Sequence, residues 1–442
     1  MHTVRVYRVQ STHNLFQRLK AAQMEAAKVW NRCCELHKEA RLSQASWPGR
    51  DTLQKATKGG QFALHSQSIQ MVVHAFLATI DTTRQLRLTH PQMSMKYPYK
   101  SKRFYPVQWP AQAVHKHQGR VILPIGRGQS SIVLHLDLPE NSGACTLVWK
   151  NGFELHVCVE VPPAENAPGE VHAAVDLGEI HLAAVSTNTS EALVVSGRGI
   201  RSLKRQRSQR LGKLTKKQAR CKKHSRRWRK FQHAKNTICA RDERRIRDMR
   251  HKATRKVVDF CVAQHVGSLF IGNPDGVRQK DSGRHHNQRM ALWEYGRDID
   301  YLTHKCEQAH IMSFTGSERG TSSRCPACEH KHKPKGRRWH CQQCGFTGHR
   351  DVVGSVNMHK LAYDEQVMFP RSITYLRPSP SRRQATAPKD PVVGRSSRAD
   401  APLASPKDAC CLNESMSQPL LAEKVPLGTG YTVDVVQKPM PF

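Results

Sequence analysis

Two Cys-x-x-Cys pairs constrain this chain more than any other feature. They read Cys325-Pro-Ala-Cys328 and Cys341-Gln-Gln-Cys344, with twelve residues between them. Four thiolates at this spacing can surround one Zn²⁺ ion tetrahedrally, and a full shell leaves no position for a reacting water. The pattern therefore predicts a small zinc ribbon whose metal is structural.

Acidic residues flank this ribbon on both sides. Glu318 lies seven residues before the first pair, and Asp351 lies seven residues after the second. A folded ribbon brings its two ends together, so these acids are expected to lie side by side. A third acid, Asp176, interrupts the apolar strand AVDLG, where a lone carboxylate is costly unless it is paired or binds a metal.

Three carboxylates at one point in a basic protein predict a magnesium (or manganese) site. Two such ions, about 4 Å apart, would activate a water and stabilise the leaving oxygen of a phosphodiester. Simpler interpretations remain for each acid. Asp176 can cap a turn at the strand end, Glu318 can be a surface residue beside Arg319, and Asp351 can be an acid in the first turn of a helix.

The net charge points to a polyanionic partner. Lys and Arg number 71 against 35 Asp and Glu, which gives +36. Such an excess repels itself unless a polyanion neutralises it, and nucleic acid is the natural candidate. A membrane partner is disfavoured, because the sequence has neither a long apolar run nor a basic helix with an aromatic face.

The charge is concentrated in residues 201–256, which hold 24 Lys and Arg and three acids. A run of charged residues is usually a solvated surface. Here, however, Trp228 and Phe231 lie among the charges, and aromatic side chains in a basic segment can stack on nucleic-acid bases. We expect a long helical hairpin that lies along nucleic acid. The candidate contacts are Arg226, Arg227, Trp228, Arg229, Lys230, Arg244 and Arg245.

The remaining sequence alternates between helical and strand patterns. Residues 1–10 predict a strand, and apolar spacing predicts helices from about 15 to 33 and 65 to 87. Ser11 or Thr12 can cap the first helix. Short β-rich segments follow, including a hairpin around Asn151-Gly152, and predict a β-barrel or sandwich.

A second domain begins near residue 171 with a three-strand meander. SLFIGN predicts a further buried strand, residues 292–306 a helix, and the segment after Asp351 a closing helix. From 366 the chain is rich in Pro, Ser and Arg, so we expect it to be mostly disordered. The scattered cysteines and the absence of an apolar leader favour a reduced cytosol.

These motifs together resemble the TnpB proteins, the transposon-encoded OrfB family, which is similar to the type V CRISPR effectors. The resemblance rests on VDLG, the Arg-rich insertion, MRHKATRKVV, the CPxC…CxxCG ribbon and GHRD, and covers about residues 1–362. It implies an α/β fold: an RNase H-like RuvC nuclease domain with an inserted zinc ribbon, an N-terminal wedge β-barrel and a helical recognition domain.

The resemblance also implies domain boundaries. The expected parts are a wedge barrel (1–10 and 101–170), a helical recognition domain (11–100), a RuvC-like domain (171–320 and 347–365, with 201–256 as a basic insertion), a zinc ribbon (321–346) and a disordered tail (366–442).

Members of the family are RNA-guided DNA endonucleases. They carry a guide RNA from the transposon end and cut double-stranded DNA beside a short adjacent motif. By motif, Asp176 matches the first RuvC acid, Asp351 the third, and the four cysteines the zinc ligands. The usual second acid is missing, since the stretch after SLFI reads GNPDGV. Glu318, in ERGTS, fits a relocated second acid, and Asp275 is the fallback.

Other functions fit parts of this pattern. Without a working second acid, the chain would be a nuclease-inactive, RNA-guided DNA-binding protein. A zinc-ribbon RNA-binding protein explains the charge and the cysteines but leaves Asp176 without a role. A transposase that joins DNA strands is a fourth reading, supported only by fold analogy.

Overall fold

The first strand joins distant parts of the sequence. β1 (His2–Arg8) pairs antiparallel with β7 (Phe153–Glu160), and the backbone of β16 (Tyr431–Val433) pairs on its other side. The computed structural model describes residues 2–162, 164–166, 168–274, 281, 283–332, 336–379 and 431–433.

This sheet has the strand order β16-β1-β7-β6-β2, with β6 at Ser142–Trp149 and β2 at Val107–Trp109. The predicted turn joins β6 to β7, with positive φ at Asn151 and Gly152. A second antiparallel sheet contains β3 (His115–His117), β4 (Arg120–Leu123) and β5 (Ile132–His135). In the described residues the two sheets share no strand pairing, so continuous hydrogen bonding does not close the predicted barrel.

Three helices lie between β1 and β2: α1 (His13–Leu42), α2 (Arg50–Ala56) and α3 (Ser66–Thr89). Thr12 caps α1, since its hydroxyl accepts the Leu15 N–H at 3.3 Å. The Trp30 ring of α1 meets Phe76 of α3 edge-on and stacks on Tyr105. The helices therefore share one core with the N-terminal sheets. The short α2 has no counterpart in the sequence prediction.

A six-stranded sheet carries the second half of the chain, in the order β12-β11-β8-β9-β10-β15. Its strands are β8 (Val171–Leu177), β9 (His181–Thr187), β10 (Ala192–Ser196), β11 (Val266–Asn273), β12 (Met312–Ser317) and β15 (Thr374–Leu376). The predicted meander is β8-β9-β10, and β11 and β12 extend it in parallel with β8.

Helices cover both faces of this sheet. They are α4 (Arg198–Ala219), α5 (Arg226–Ala263), α6 (Arg284–Leu292), α7 (Tyr295–Gln308) and α8 (Arg350–Tyr363). Apolar residues of α5 and α7 pack on one face, whereas α8 packs on the other. α4 and α5 also pack on each other, which gives the predicted basic hairpin. In the described residues no helix has the length and apolar run that crossing a bilayer requires.

The segment after 366 differs from the expected disorder over residues 366–379. β15 pairs in parallel with β10, from Leu193 with Thr374 to Val195 with Leu376. Val367 is buried, and Phe369 packs beside it. This stretch is therefore part of the sheet and its core. Apart from the backbone of β16, the later residues lie outside those described.

The ribbon follows β12 and precedes α8. Its two short strands, β13 (Arg338–His340) and β14 (Thr347–His349), pair antiparallel. The backbone N–H of Arg350 donates to the carbonyl of Arg337 at 2.9 Å. The ribbon thus leads directly into α8.

Candidate active site

Asp176 stands near the end of β8 on the face that α8 covers. Ala174, two positions earlier, packs with Met358 of α8, whereas Val175 faces the opposite core. Because side chains alternate between the faces of a strand, Asp176 points toward α8. There its carboxylate lies against Gly354. The alternation along β8 thus places the Asp176 carboxylate between the sheet and α8.

Glu318 follows immediately after β12. Gly316, two residues before Glu318, pairs with Gly272 in the register of β12 and β11. The Glu318 side chain lies back over β11, since a Cβ built on Gly272 would be 2.7 Å from Oε2. The Glu318 carbonyl accepts the Thr321 hydroxyl at 2.9 Å, which fixes the turn that follows.

The end of β11 brings no acid of its own among the described residues. Gly272, Asn273 and Pro274 complete the described segment. Asp275, the fallback for the second acid, lies outside the described residues.

Asp351 occupies the first turn of α8 and is held from two sides. Its Oδ2 accepts hydrogen bonds from His181 Nδ1 at 2.7 Å and from Arg337 Nη1 at 2.8 Å. Burial raises the pKa of Asp351, but the bond from His181 and the charge of Arg337 outweigh it and leave the pKa below its usual range. Asp351 is therefore held as a carboxylate.

Electrostatics connect the three acids. Burial raises the pKa of Asp176 well above its usual range, and the charges of Glu318 and Asp351 raise it further. Arg350 and Arg337 oppose this effect only in part. The structure thus places Asp176 within reach of the charges of both other acids, in surroundings that disfavour its carboxylate form.

Two histidines complete the surroundings of Asp351. The ligand atoms of His181, His349 and Asp351 all lie within 4.8 Å of one another, and the two rings are 4.9 Å apart. Neither histidine was assigned to this site from the sequence. The available signal was the three-residue turn between β8 and β9, which returns His181 to the sheet end where Asp176 stands.

The four cysteines meet in one cluster. Sγ atoms are 3.7 Å apart for Cys325 and Cys344 and 3.5 Å apart for Cys328 and Cys341. A disulfide needs about 2.0 Å, whereas sulfurs on a tetrahedral zinc with bonds of about 2.3 Å lie about 3.8 Å apart. The cluster therefore fits Zn²⁺ and does not fit disulfides.

Hydrogen bonds tie the ribbon to the acids. Asn357 of α8 donates to the carbonyls of Thr321 and Arg324, both at 2.7 Å. Trp339 donates from Nε1 to the carbonyl of Ser322 at 3.1 Å. The segment after Glu318 is thereby fastened to the helix that begins at Asp351. This is the juxtaposition expected of a ribbon whose ends meet.

The basic hairpin presents most of its candidate contacts to solvent. The exposed ones are Arg226, Arg227, Arg229, Lys230 and Arg245, and Trp228 is half-buried. Arg244 differs, because its guanidinium pairs with Glu154 of β7 at 3.3 Å and donates to the Lys150 carbonyl at 3.2 Å. Arg244 therefore fastens the hairpin to the N-terminal sheet, and its role as a nucleic-acid contact stays a prediction.

Family models match two regions of the chain. Residues 156–278 match OrfB_IS605, described as a probable transposase, and residues 295–358 match the Cas12f1-like TNB domain. The resemblance to TnpB proteins is thus confirmed. None of the curated proteins matches the sequence.

Solved structures share the fold. The Cas12f1–sgRNA–target DNA complex contains a chain that is 13% identical, with a TM-score of 0.56 over 78% of this chain and 83% of that one. The mini-RNA-guided endonuclease CRISPR-Cas_phi3 is 10% identical, with a TM-score of 0.49 over 84% and 94%. The first of these shows that the fold is that of a Cas12f effector.

Proposed function

From its relation to the TnpB proteins and Cas12 effectors, we propose that this chain is an RNA-guided DNA endonuclease of a transposon. A guide RNA from the transposon end selects the target by base pairing. The protein cuts double-stranded DNA beside a short adjacent motif. The reaction takes place in the prokaryotic cytosol. The observation that carries the proposal is the convergence of Asp176, Glu318 and Asp351 at one end of the RNase H-like sheet.

The acids fit divalent cations by their chemistry. Carboxylate oxygens are the ligands that Mg²⁺ and Mn²⁺ prefer. Burial raises the pKa of Asp176, the charges of Glu318 and Asp351 raise it further, and Arg350 and Arg337 oppose this only in part; a bound cation would favour its carboxylate form. Asp176, Glu318 and Asp351 would hold the ions, which supply water activation and leaving-group stabilisation when bound.

The chain's own residues orient this site. His181 and Arg337 hold Asp351 through Oδ2, which leaves Oδ1 for another partner. The exposed arginines of α4 and α5 supply contacts to the phosphate backbone. The N-terminal sheets and helices α1–α3 serve as the wedge and recognition parts that grip the guide–target duplex by its shape. The zinc ribbon holds two of the three acids in register.

A cleavage assay tests the proposal. The full chain is co-expressed with its flanking transposon RNA and given a plasmid library in which a guide-matched target has randomised flanks. We expect depletion of one flank motif, dependent on Mg²⁺ or Mn²⁺, and loss of depletion in Asp176→Ala. Asp300→Ala is the matched control, since Asp300 is an exposed acid of α7.

Glu318→Ala should also lose cutting, and the behaviour of the wild type separates the proposal from its main alternative. Positions 272 and 273 are Gly and Asn and not acids, and this favours a nuclease-inactive, RNA-guided DNA-binding protein. Motif-specific binding without cutting in the wild type would establish that alternative. Cutting that survives Asp176→Ala would overturn the assignment of the active site.

A further inference from the structure

Two glycines lie directly beneath the acids of the candidate active site. A Cβ on Gly272 would be 2.7 Å from Glu318 Oε2, and a Cβ on Gly354 would overlap Asp176 Oδ2. Real Cβ atoms do not approach oxygen so closely. The two carboxylates therefore use space that any other residue at 272 or 354 would fill.

The backbone does not require glycine at either position. Neither Gly272 in β11 nor Gly354 in α8 has a positive φ. A glycine inside a strand or helix is less favourable than alanine, because it loses more backbone freedom on folding. The stability of the strand and the helix thus favours alanine at both positions. The acids occupy the space that an alanine Cβ would need, and this opposes alanine.

The strand register explains why Gly272 matters for Glu318 in particular. β8 and β11 are parallel, with Val175 beside Ile271, so Gly272 is the next residue of β11 at the level of Asp176. Glu318 comes from β12, on the far side of β11. Its side chain has to cross β11 to approach Asp176, and it crosses over Gly272.

We propose that Gly272 and Gly354 are positioning residues, which set how deeply Glu318 and Asp176 sit between the sheet and α8. This inference rests on the proposed function, since it assigns the two acids a common cation. It also implies that the second acid can be moved. A carboxylate carried by residue 272 itself would reach the place that Glu318 Oε2 now occupies.

The packing indicates that substitution at 272 would spare the fold. Besides Glu318, an added Cβ would meet only the end of the Met358 side chain, with Cε at 2.8 Å and Sδ at 3.1 Å, among its nearest atoms. Both neighbours are ends of flexible side chains that can move. The cost of Gly272→Ala should thus fall on the position of the carboxylate.

The test measures Mn²⁺ binding to the full-length protein, freed of nucleic acid, by electron paramagnetic resonance, with cleavage measured in parallel. Gly272→Ala should weaken the Mn²⁺ binding that Asp176→Asn abolishes, and should lower cleavage by about a hundredfold, as a carboxylate misplaced by about 1 Å would. The melting temperature should stay at the wild-type value. Gly296→Ala is the control, because its Cβ would meet nothing within 4 Å.

A transplant variant provides the decisive comparison. Glu318→Gln should lose Mn²⁺ binding, and adding Gly272→Asp to it should restore binding. Wild-type Mn²⁺ affinity in Gly272→Ala, or no restoration in the double variant, would overturn the inference. If the wild type binds Mn²⁺ through Glu318 but cuts no DNA, the proposed nuclease function fails, while the binding results still decide the role of Gly272.

Discussion

Asp298 and Asp176 are both aspartates in densely packed surroundings, but their neighbours carry opposite charges. Burial raises the pKa of Asp298 to about 6, while Arg250 and Lys204 act to lower it. Arg250 is fully buried and pairs with Asp298, and Glu294 pairs with Lys204 at 3.0 Å. Every charge of this group, the Asp298 network, has a partner of the opposite sign.

The charges closest in effect to Asp176 are negative, like its own. After burial, the charges of two other acids are the largest influences on its pKa, and both raise it. A chain that can pair Asp298 with Arg250 could have paired Asp176 in the same way. The comparison teaches that burial alone does not point to a site; a carboxylate surrounded by further carboxylates does, because a proton or an added cation is needed to relieve the repulsion.

The largest expected effect is that of Asp176→Asn. It removes a ligand from the site, and a loss of about 4 kcal/mol in transition-state stabilisation corresponds to about a thousandfold slower cleavage. Since it also removes like-charge repulsion, the free energy of unfolding should hold or rise. Cleavage rates and denaturant titration of the same variant check both parts. A clear loss of stability would place Asp176 in the same class as Asp298.

Asp298→Ala should act on stability instead. It leaves the guanidinium of Arg250 buried without its aspartate, and breaking a buried pair from one side costs about 3–5 kcal/mol. Urea unfolding measures this loss, with Asp300→Ala, two residues further along α7 and exposed, as the control. Normal stability with impaired cleavage would instead make the Asp298 network part of the catalytic apparatus.

Cys325→Ser should lower cleavage indirectly, by displacing the acids. Loss of one thiolate opens the zinc site, and the ribbon then no longer holds Glu318 and Asp351 in place. Misplacement by about 1 Å predicts a drop in cleavage of about a hundredfold, with reduced zinc content by mass spectrometry. Cys158→Ser, a half-buried cysteine of β7, should retain both. Full cleavage without zinc would show that α8 alone positions the acids.

The smallest expected effect concerns a buried group that stays neutral. Burial lowers the pKa of His359, whose Nε2 lies 3.1 Å from the Ser186 carbonyl, with Glu365 and His172 as the nearby titratable groups. The unfolded chain takes up this proton near pH 6.5, so stability is present above that pH and declines as the pH falls below it. The decline is at most about 1.4 kcal/mol per pH unit.

His359→Gln keeps a hydrogen-bond donor but does not titrate. The difference in unfolding free energy between wild type and variant should therefore shrink as the pH falls from 7.5 to 5.5, as chemical denaturation would show. A difference that does not change with pH would mean that His359 contributes no titration to stability.

Local patterns were sufficient to predict much of the fold. The Asn151-Gly152 turn, the capped helix α1, the meander β8-β10 and the cysteine cluster each follow from a few adjacent residues. β15 could not be predicted this way. Its three residues are too few to show an alternating pattern, and its strand character comes from parallel pairing with β10, far away in the sequence.

The candidate site divides along the same line. The acids were predictable because each stands out against its own surroundings: Asp176 in an apolar strand, Glu318 and Asp351 beside the ribbon. The hydrogen bonds from His181 and Arg337 to Asp351 could not be predicted, since these residues are far apart in sequence and meet only in the fold. Gly272 stood out only as part of the stretch that lacks the usual second acid, and its contact with Glu318 could not be predicted because that residue is far away in the sequence.

The short strand β15 decides where this protein can be shortened or joined to another. A chain cut at 365 would lose β15 and expose the backbone of β10 along Leu193–Val195. A bare edge of that kind recruits other strands and promotes aggregation. A chain ending after 379 keeps β15, although it gives up the pairing of β16 with β1 along Val4–Val6. A fluorescent protein or deaminase is thus better attached after 379 than at the end of α8, because the edge of β10 then stays covered.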